Sequence, residues 1–147
     1  MTWQSLLLLI SISSFIFFIQ SFYQSSKKKA FEETPWLLPW GIFVWGDGVV
    51  FGLFWFIISV LTFALNDWNL FLLIYSIFWL VRSLGEVLYW IHEQFAKNHR
   101  NEPKNLRGYS LVKNDSVYFL YQIVWQCVMV VSIIFAIYFG VIWVRGI

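Results

Sequence analysis

The sequence has few of the residues that most often carry out chemistry in proteins, with one cysteine, two histidines and eight acidic residues. Its single cysteine, Cys127, lies in an apolar run, which excludes an intramolecular disulfide and a Cys-x-x-Cys redox pair. Only 12% of the 147 residues are charged and 60% are hydrophobic, whereas soluble domains contain about 25% charged residues. A chain this apolar cannot cover its hydrophobic surface in water. Lipid must therefore solvate much of it.

Catalytic and metal-binding patterns are also missing from the sequence. Four residues of types that bind metals lie close together in the sequence: Glu86, His92, Glu93 and His99. Their spacing does not match the ligand spacings of known metal sites. No nucleophile elbow and no Ser/His pair occurs within reach, so we expect no catalytic residue, no metal and no cofactor. The net charge of +2 is too small to indicate a nucleic-acid partner.

Four apolar runs are long enough to cross a membrane. They cover residues 3–23, 41–65, 69–94 and 116–144, and each reaches the roughly 20 residues that a transmembrane helix needs. Backbone groups inside a bilayer must be paired within the protein, which makes each run a helix. The sequence therefore predicts an all-α integral membrane bundle of four transmembrane helices, with residues 1–147 as a single domain. The first run has no basic start and no cleavage site typical of a signal peptide.

The basic residues predict the orientation. Eight of the ten Lys and Arg residues fall in loop one, residues 24–40, or loop three, residues 95–115. The positive-inside rule places both loops in the cytoplasm and both termini outside. We expect a cytoplasmic-type membrane, that is, an inner or plasma membrane. Loop one also alternates Pro and Trp beside its lysines, which indicates a segment lying on the membrane surface. Loop three is interpreted as a flexible connection or a docking surface.

Small residues at helical spacing indicate where the helices pack. Transmembrane helices associate by close contact of such residues, because lipid is as apolar as their side chains. The second run contains Gly48 and Gly52, and the fourth contains Ser132, Ala136 and Gly140. The same spacing could serve self-association, so a homo-oligomer stays open.

Each run also carries a polar residue at similar depth. The group comprises Gln20, Asp47, Arg82, Glu86 and Gln126, which lie roughly 20–27 Å along their helices from the outer end. Ionisable residues at membrane depth are rare and indicate function by default. We expect this intramembrane polar site to be the place that a function uses, although equal depth does not prove that the side chains face one another.

Each charged residue of this group also has a structural interpretation. Asp47 in Gly46-Asp47-Gly48 can be the N-cap of its helix, leaning toward the cytoplasm. Arg82 leans away from the cytoplasm, and Glu86 leans back toward it one turn later, so an i, i+4 ion pair is expected. The pair lies on one helix face with Tyr75, Trp79, Tyr89 and Glu93.

Two classes of function fit these features. The first is a non-catalytic subunit, scaffold or assembly factor that binds other membrane proteins, in which case loop three is expected to become ordered with its partner. The second is a small oligomeric transporter or channel that uses Arg82, Glu86 and Asp47. Four-helix multidrug transporters carry an acidic residue in their first helix, and this chain has none there. A membrane enzyme and a lipid- or sterol-binding protein stay as further alternatives.

Overall fold

The computed structural model describes residues 2–146, which form helices and connections without a β-strand. Five α-helices are present in this range: α1 Trp3–Ser26, α2 Trp45–Ala64, α3 Trp68–Phe95, α4 Tyr109–Val112 and α5 Ser116–Gly146. Two short 3-10 helices, Pro35–Trp40 and Pro103–Asn105, lie in loops one and three. The predicted all-α class is confirmed, and so are four helices, α1, α2, α3 and α5, long and apolar enough to span a membrane.

The chain divides into two compact units, Met1–Leu72 and Leu73–Ile147. The first contains α1, α2 and the first turn of α3. The second contains the rest of α3 together with α4 and α5. The two units are described separately below.

In the first unit, α1 and α2 pack through a stripe of small residues. The buried positions of α1 are Leu7, Ser11, Ser14 and Ser21, and those of α2 are Trp45, Gly48, Gly52, Trp55, Ser59 and Thr62. Steps of three and four residues keep one face of each helix against the other, as in coiled-coil packing. At Gly52, an added Cβ would lie 2.9 Å from the backbone of Phe18. Glycine therefore permits the backbones to approach this closely.

Gly48 makes the second close approach between these helices. A Cβ at this position would lie 2.0 Å from the Ser21 hydroxyl oxygen and 2.8 Å from its Cβ. Ser59 and Thr62 satisfy their hydroxyls on α2 itself, donating to the carbonyls of Trp55 and Ile58 at 2.7 and 2.8 Å. The serines and the threonine therefore contribute small volume to the interface, and these two hydroxyls need no partner across it.

Loop one folds back onto the α1–α2 pair. An isolated antiparallel bridge joins Glu33 to Val44, and the Thr34 N–H donates to the Phe43 carbonyl at 2.8 Å. The 3-10 helix Pro35–Trp40 lies between these paired ends and ends at Gly41, whose φ of 69° favours glycine. Because residues 41–44 are turn and extended backbone, α2 begins at Trp45, four residues later than the sequence predicts.

Trp55 connects loop one to the middle of α2. Its side chain is fully buried, and its indole N–H donates to the Trp40 carbonyl at 2.9 Å. The Trp40 ring packs edge-on against Trp55 and also contacts Phe17 of α1. At the other end of the unit, the Trp3 and Trp68 rings stack 5.1 Å apart, and Gln4 donates to Asn66. Trp residues at such ends are typical of membrane–water boundaries.

In the second unit, α3 and α5 run antiparallel and contact one another mainly through aromatic rings. Trp79 stacks on Trp125 with ring centroids 6.4 Å apart. Toward the loop-three end, Trp90 contacts Tyr118 and Tyr121 at 6.2 and 4.4 Å. Such ring pairs stabilise by about 0.5–1.5 kcal/mol beyond the area they bury.

The small residues of α5 have different surroundings along this helix. Ser132 is buried and donates its hydroxyl to the Val128 carbonyl at 2.8 Å. Gly140 faces α3, since an added Cβ would lie 3.7 Å from a methyl carbon of Leu73. Ala136 is half-buried between these two positions. This spacing is looser than at Gly52, so α5 does not need its glycine for close backbone contact.

Candidate functional site

The charged pair of α3 is formed within a single helical turn. The Arg82 Nη1 lies 3.3 Å from the Glu86 Oε1, and the two side chains are 20% and 15% exposed. The geometry follows from sequence, because residues four apart on a helix lie above one another and lean toward the N-terminus. Each charge neutralises the other inside a membrane-length helix, where a lone charge is expensive.

Asp47 has a local role at the start of α2. Its Oδ2 accepts a hydrogen bond from the Phe43 backbone N–H at 3.1 Å. The expectation that Asp47 is the N-cap is wrong, because the N-cap is Val44 and Asp47 is the third residue of the helix. The carboxylate reaches back to the chain before the helix, as the acidic residue of a capping box does. Its negative charge also lies at the positive end of the helix dipole.

The two glutamines of the predicted site differ in how far they are buried. Gln20 is exposed on α1, next to Ser21, which contacts α2. Neighbouring helix residues differ by about 100° in direction, so Gln20 points away from this interface. Gln126 is half-buried on α5, beside the Trp125 that stacks on α3. Of the five residues, Arg82 and Glu86 contact one another within the second unit.

A second polar centre, not predicted from the sequence, lies at the end of α3. Glu93 is 2% exposed, and its carboxylate accepts hydrogen bonds from the backbone N–H groups of Asn101 and Arg100 at 2.9 and 3.3 Å. The His99 ring nitrogen Nδ1 lies 2.9 Å from the Glu93 carbonyl oxygen. The buried carboxylate thus holds Arg100 and Asn101 against α3, and the backbone carbonyl of the same residue contacts His99.

Asn101 extends this centre to both helices of the second unit. Its side-chain amide donates to the Tyr89 hydroxyl of α3, and its carbonyl accepts from the Tyr118 hydroxyl of α5. The His99 ring stacks on Tyr118 with centroids 5.2 Å apart. Below these contacts lies the buried cluster of Trp90, Val117 and Tyr118, packed by Leu106, Tyr109 and Val112 of the loop. We name Tyr89, Glu93, His99, Asn101 and Tyr118 the loop-three anchor.

The anchor gives loop three contacts within the chain. Residues 99–101 contact the last turns of α3, and the expectation that the loop becomes ordered only with its partner stays a prediction. One sequence signal pointed to Glu93: a negative charge in the last turn of a helix opposes the dipole. Such a residue needs donors from elsewhere, and those backbone donors are not recognisable from residue type.

An open groove runs along α3 and α5. It has a volume of about 370 Å³ and is lined by Tyr75, Ser76, Trp79, Cys127, Val128, Val131, Ser132 and Phe135. Cys127 is exposed in it, with no disulfide. The lining is mostly apolar, which suits an apolar side chain or an acyl chain.

Residues 2–146 contain no group of three or more His, Cys, Asp or Glu residues that could hold a metal ion. No known protein family, curated protein or solved structure matches the chain. The function therefore has to be argued from the geometry alone.

Proposed function

We propose that this protein is a non-catalytic integral membrane subunit that binds another membrane protein through α5. In this proposal, loops one and three lie in the cytoplasm and both termini lie outside, in a cytoplasmic-type membrane. The support for the orientation is the charge distribution, with eight of ten basic residues in these two loops.

The exposure of α5 carries the proposal. It is the longest helix, with 31 residues, yet only 6% of the residues in its most apolar stretch are buried, compared with 22% or 28% in α1, α2 and α3. Most of its surface is thus available to lipid or to another helix. The groove beside it is lined by aromatic rings and by two small residues, Ser76 and Ser132. Transmembrane helices associate through surfaces of this composition, which favours a helix as the occupant.

The use of charge inside the helices supports a structural role. Arg82 contacts Glu86, and Asp47 accepts from the backbone of Phe43. These side chains stabilise the helices that carry them, as expected of a subunit whose task is to hold a surface in place.

Site-specific photocrosslinking in the native membrane tests the proposal. A photoreactive phenylalanine replaces Val131 or Ile137, both exposed on α5, and the matched controls replace Ile12 or Ile16, which are similarly exposed on α1. We expect one adduct of defined mass from the α5 positions and only lipid adducts from α1. Lipid adducts alone at all four positions would contradict partner binding, and an adduct of two copies would identify a homo-oligomer.

The second candidate is a small oligomeric transporter or channel that uses Arg82, Glu86 and Asp47. The observation that favours it is the incomplete burial of the ion pair, with side chains 20% and 15% exposed in a membrane-length helix. A pathway would need water at this pair, whereas a structural pair is dry. The accessibility measurement at the end of the Discussion distinguishes the two.

A further inference from the structure

Loop three carries a dense set of cations beside the ends of α3 and α5. Its five basic residues are all exposed: Lys97, Arg100, Lys104, Arg107 and Lys113. The same segment contains only two exposed carboxylates, Glu102 and Asp115. We propose that loop three is a binding surface for anionic phospholipids, which it recognises by the phosphate of the headgroup and the start of the acyl chain.

The loop-three anchor holds part of the backbone that carries these cations, so that they form a defined surface. Glu93 fixes the backbone at Arg100 and Asn101, and the Asn101 carbonyl accepts from Tyr118. Residues 100 and 101, near the start of the loop, are therefore attached to both helices, and Leu106, Tyr109 and Val112 pack on the aromatic cluster further along. Lysines on a backbone held in place lose less freedom on binding than lysines on a flexible linker, so more of the electrostatic attraction remains as affinity.

Two lysines stand at the boundary between helix and loop. Lys97 follows the last residue of α3, Phe95, by two positions, and Lys113 precedes the first residue of α5 by three. These helix ends are neighbours, because the rings of Trp90 and Tyr118 contact one another at 6.2 Å. Basic residues next to transmembrane helices lie at the depth of lipid phosphates, and each contributes about 1 kcal/mol to attraction by an anionic surface.

Each boundary lysine has an exposed apolar neighbour. Phe95 is 78% exposed and lies two residues before Lys97, and Leu111 is 82% exposed and lies two residues before Lys113. The loop is not simply unfolded around Leu111, because Val112 packs on the aromatic cluster. A phospholipid covers both kinds of group at once, with its phosphate on the lysine and its chain on the apolar residue. A soluble acidic partner would pair with the lysines and leave two large apolar side chains in water.

Competition for lipid by the full-length chain tests this surface. The purified chain in a neutral detergent receives equal amounts of phosphatidylglycerol and phosphatidylcholine, and native mass spectrometry measures the ratio of the two bound lipids. We expect the wild type to retain phosphatidylglycerol preferentially. The variant Lys97→Gln/Lys104→Gln/Lys113→Gln should lower this preference by about fivefold or more, given the attraction per lysine.

A matched control removes the same charge from loop one. The variant Lys27→Gln/Lys28→Gln/Lys29→Gln should keep most of the preference, since Lys29 pairs with Glu32 at 3.0 Å and Lys27 lies over the Tyr23 ring. Phe95→Ser/Leu111→Ser should weaken retention of both lipids. An equal loss from both lysine triples, or no loss from the loop-three triple, would overturn the proposal.

Two soluble competitors separate a lipid surface from a phosphate or protein site. Glycerol phosphate, which has the charge of the headgroup and no chains, should not displace bound phosphatidylglycerol at a hundredfold excess. Polyglutamate, as a model of an acidic protein segment, should not displace it either. Full displacement by glycerol phosphate would identify a soluble-phosphate site, and full displacement by polyglutamate an acidic protein partner; either result would overturn the lipid proposal.

Discussion

Charged side chains inside these helices find partners within their own helix or in the chain next to it. Arg82 uses Glu86 one turn on, Asp47 uses the backbone just before α2, and Glu93 uses the backbone of the loop just after α3. The partners are close in sequence, so each contact forms with a small loss of chain entropy. These three local contacts stabilise the helices that carry them.

Replacing Arg82 alone should destabilise the protein strongly. Arg82→Leu leaves Glu86 charged without its partner 3.3 Å away, and breaking such a pair costs roughly 3–5 kcal/mol. The double variant Arg82→Leu/Glu86→Leu should recover most of this loss. Unfolding in mixed micelles with increasing dodecyl sulfate measures both. A double variant as unstable as the single one would sink the structural interpretation of the pair.

Replacing Glu93 should release loop three while leaving the helices intact. Glu93→Ala removes the carboxylate that accepts from two backbone N–H groups. A hydrogen bond to a charged group contributes about 1.5–3 kcal/mol to stability. Amide hydrogen exchange at residues 100 and 101 should become faster by tenfold or more. Glu102→Gln, an exposed acidic residue of the same loop, is the control and should change little. Unchanged exchange in Glu93→Ala would show that other contacts hold the loop.

At the scale of elements, the α1–α2 contact depends on the volume of particular residues. Gly52 lies against the Phe18 backbone, and Gly48 lies against Ser21. The glycines were recognisable in sequence from their spacing of four. The role of Ser11, Ser14 and Ser21 was not predicted, although they follow steps of three and seven residues. A serine in an apolar run does not by itself indicate a helix interface.

Two glycine substitutions separate packing from helix propensity. Gly52→Ala adds a Cβ 2.9 Å from the Phe18 backbone, which must shift, whereas Gly85→Ala adds one with no atom within 4 Å. Overpacking costs about 1–3 kcal/mol, and alanine in an open helix position gains about 0.5–1 kcal/mol over glycine. We expect the first variant to be less stable than wild type and the second equal or more stable, in the same micelle assay. Equal behaviour of the two variants would contradict close α1–α2 contact.

Loop one should detach when the tryptophan that holds it loses its indole N–H. Trp55→Phe keeps a buried ring but removes the bond to the Trp40 carbonyl, leaving a buried acceptor unpaired at a cost of about 1–3 kcal/mol. Limited proteolysis after Lys28 and Lys29 should become faster. Trp143→Phe, on α5, provides a tryptophan control of the same chemistry and should not alter cleavage there. Resistance equal to wild type would mean that packing alone holds the loop.

For the whole molecule, sequence predicted the number and approximate limits of the membrane-length helices because hydrophobic length is a property of the chain itself. It also contained the Arg82–Glu86 contact, since i, i+4 spacing is geometry that every helix shares. It could not predict the loop-three anchor. That centre depends on backbone N–H groups at residues 100 and 101, which every residue except proline has, and on the path that the loop takes back to Glu93.

The predicted polar site that draws residues from all four helices stays a prediction. Within the units, Gln20 is exposed and Asp47 is occupied by the start of α2, while Arg82 and Glu86 contact one another. Equal depth along a helix fixes one coordinate of a side chain, and its direction around the axis fixes the other. Residue spacing determines the position of a side chain along its helix, whereas its direction relative to a neighbouring helix depends on which residues the helices use for contact.

The central claim is that the charged pair inside α3 is a dry, structural contact of a partner-binding subunit. Thiol accessibility tests this most directly. Cysteine replaces Arg82 in a Glu86→Gln chain, or Glu86 in an Arg82→Gln chain, both with Cys127→Ala, and a membrane-impermeant maleimide is applied from each side. Asn105→Cys, an exposed polar position of loop three, is the positive control. We predict no labelling at 82 and 86 from either side, with labelling at 105. Labelling at 82 or 86 would show water at the pair, and would contradict the structural account in favour of a transport pathway.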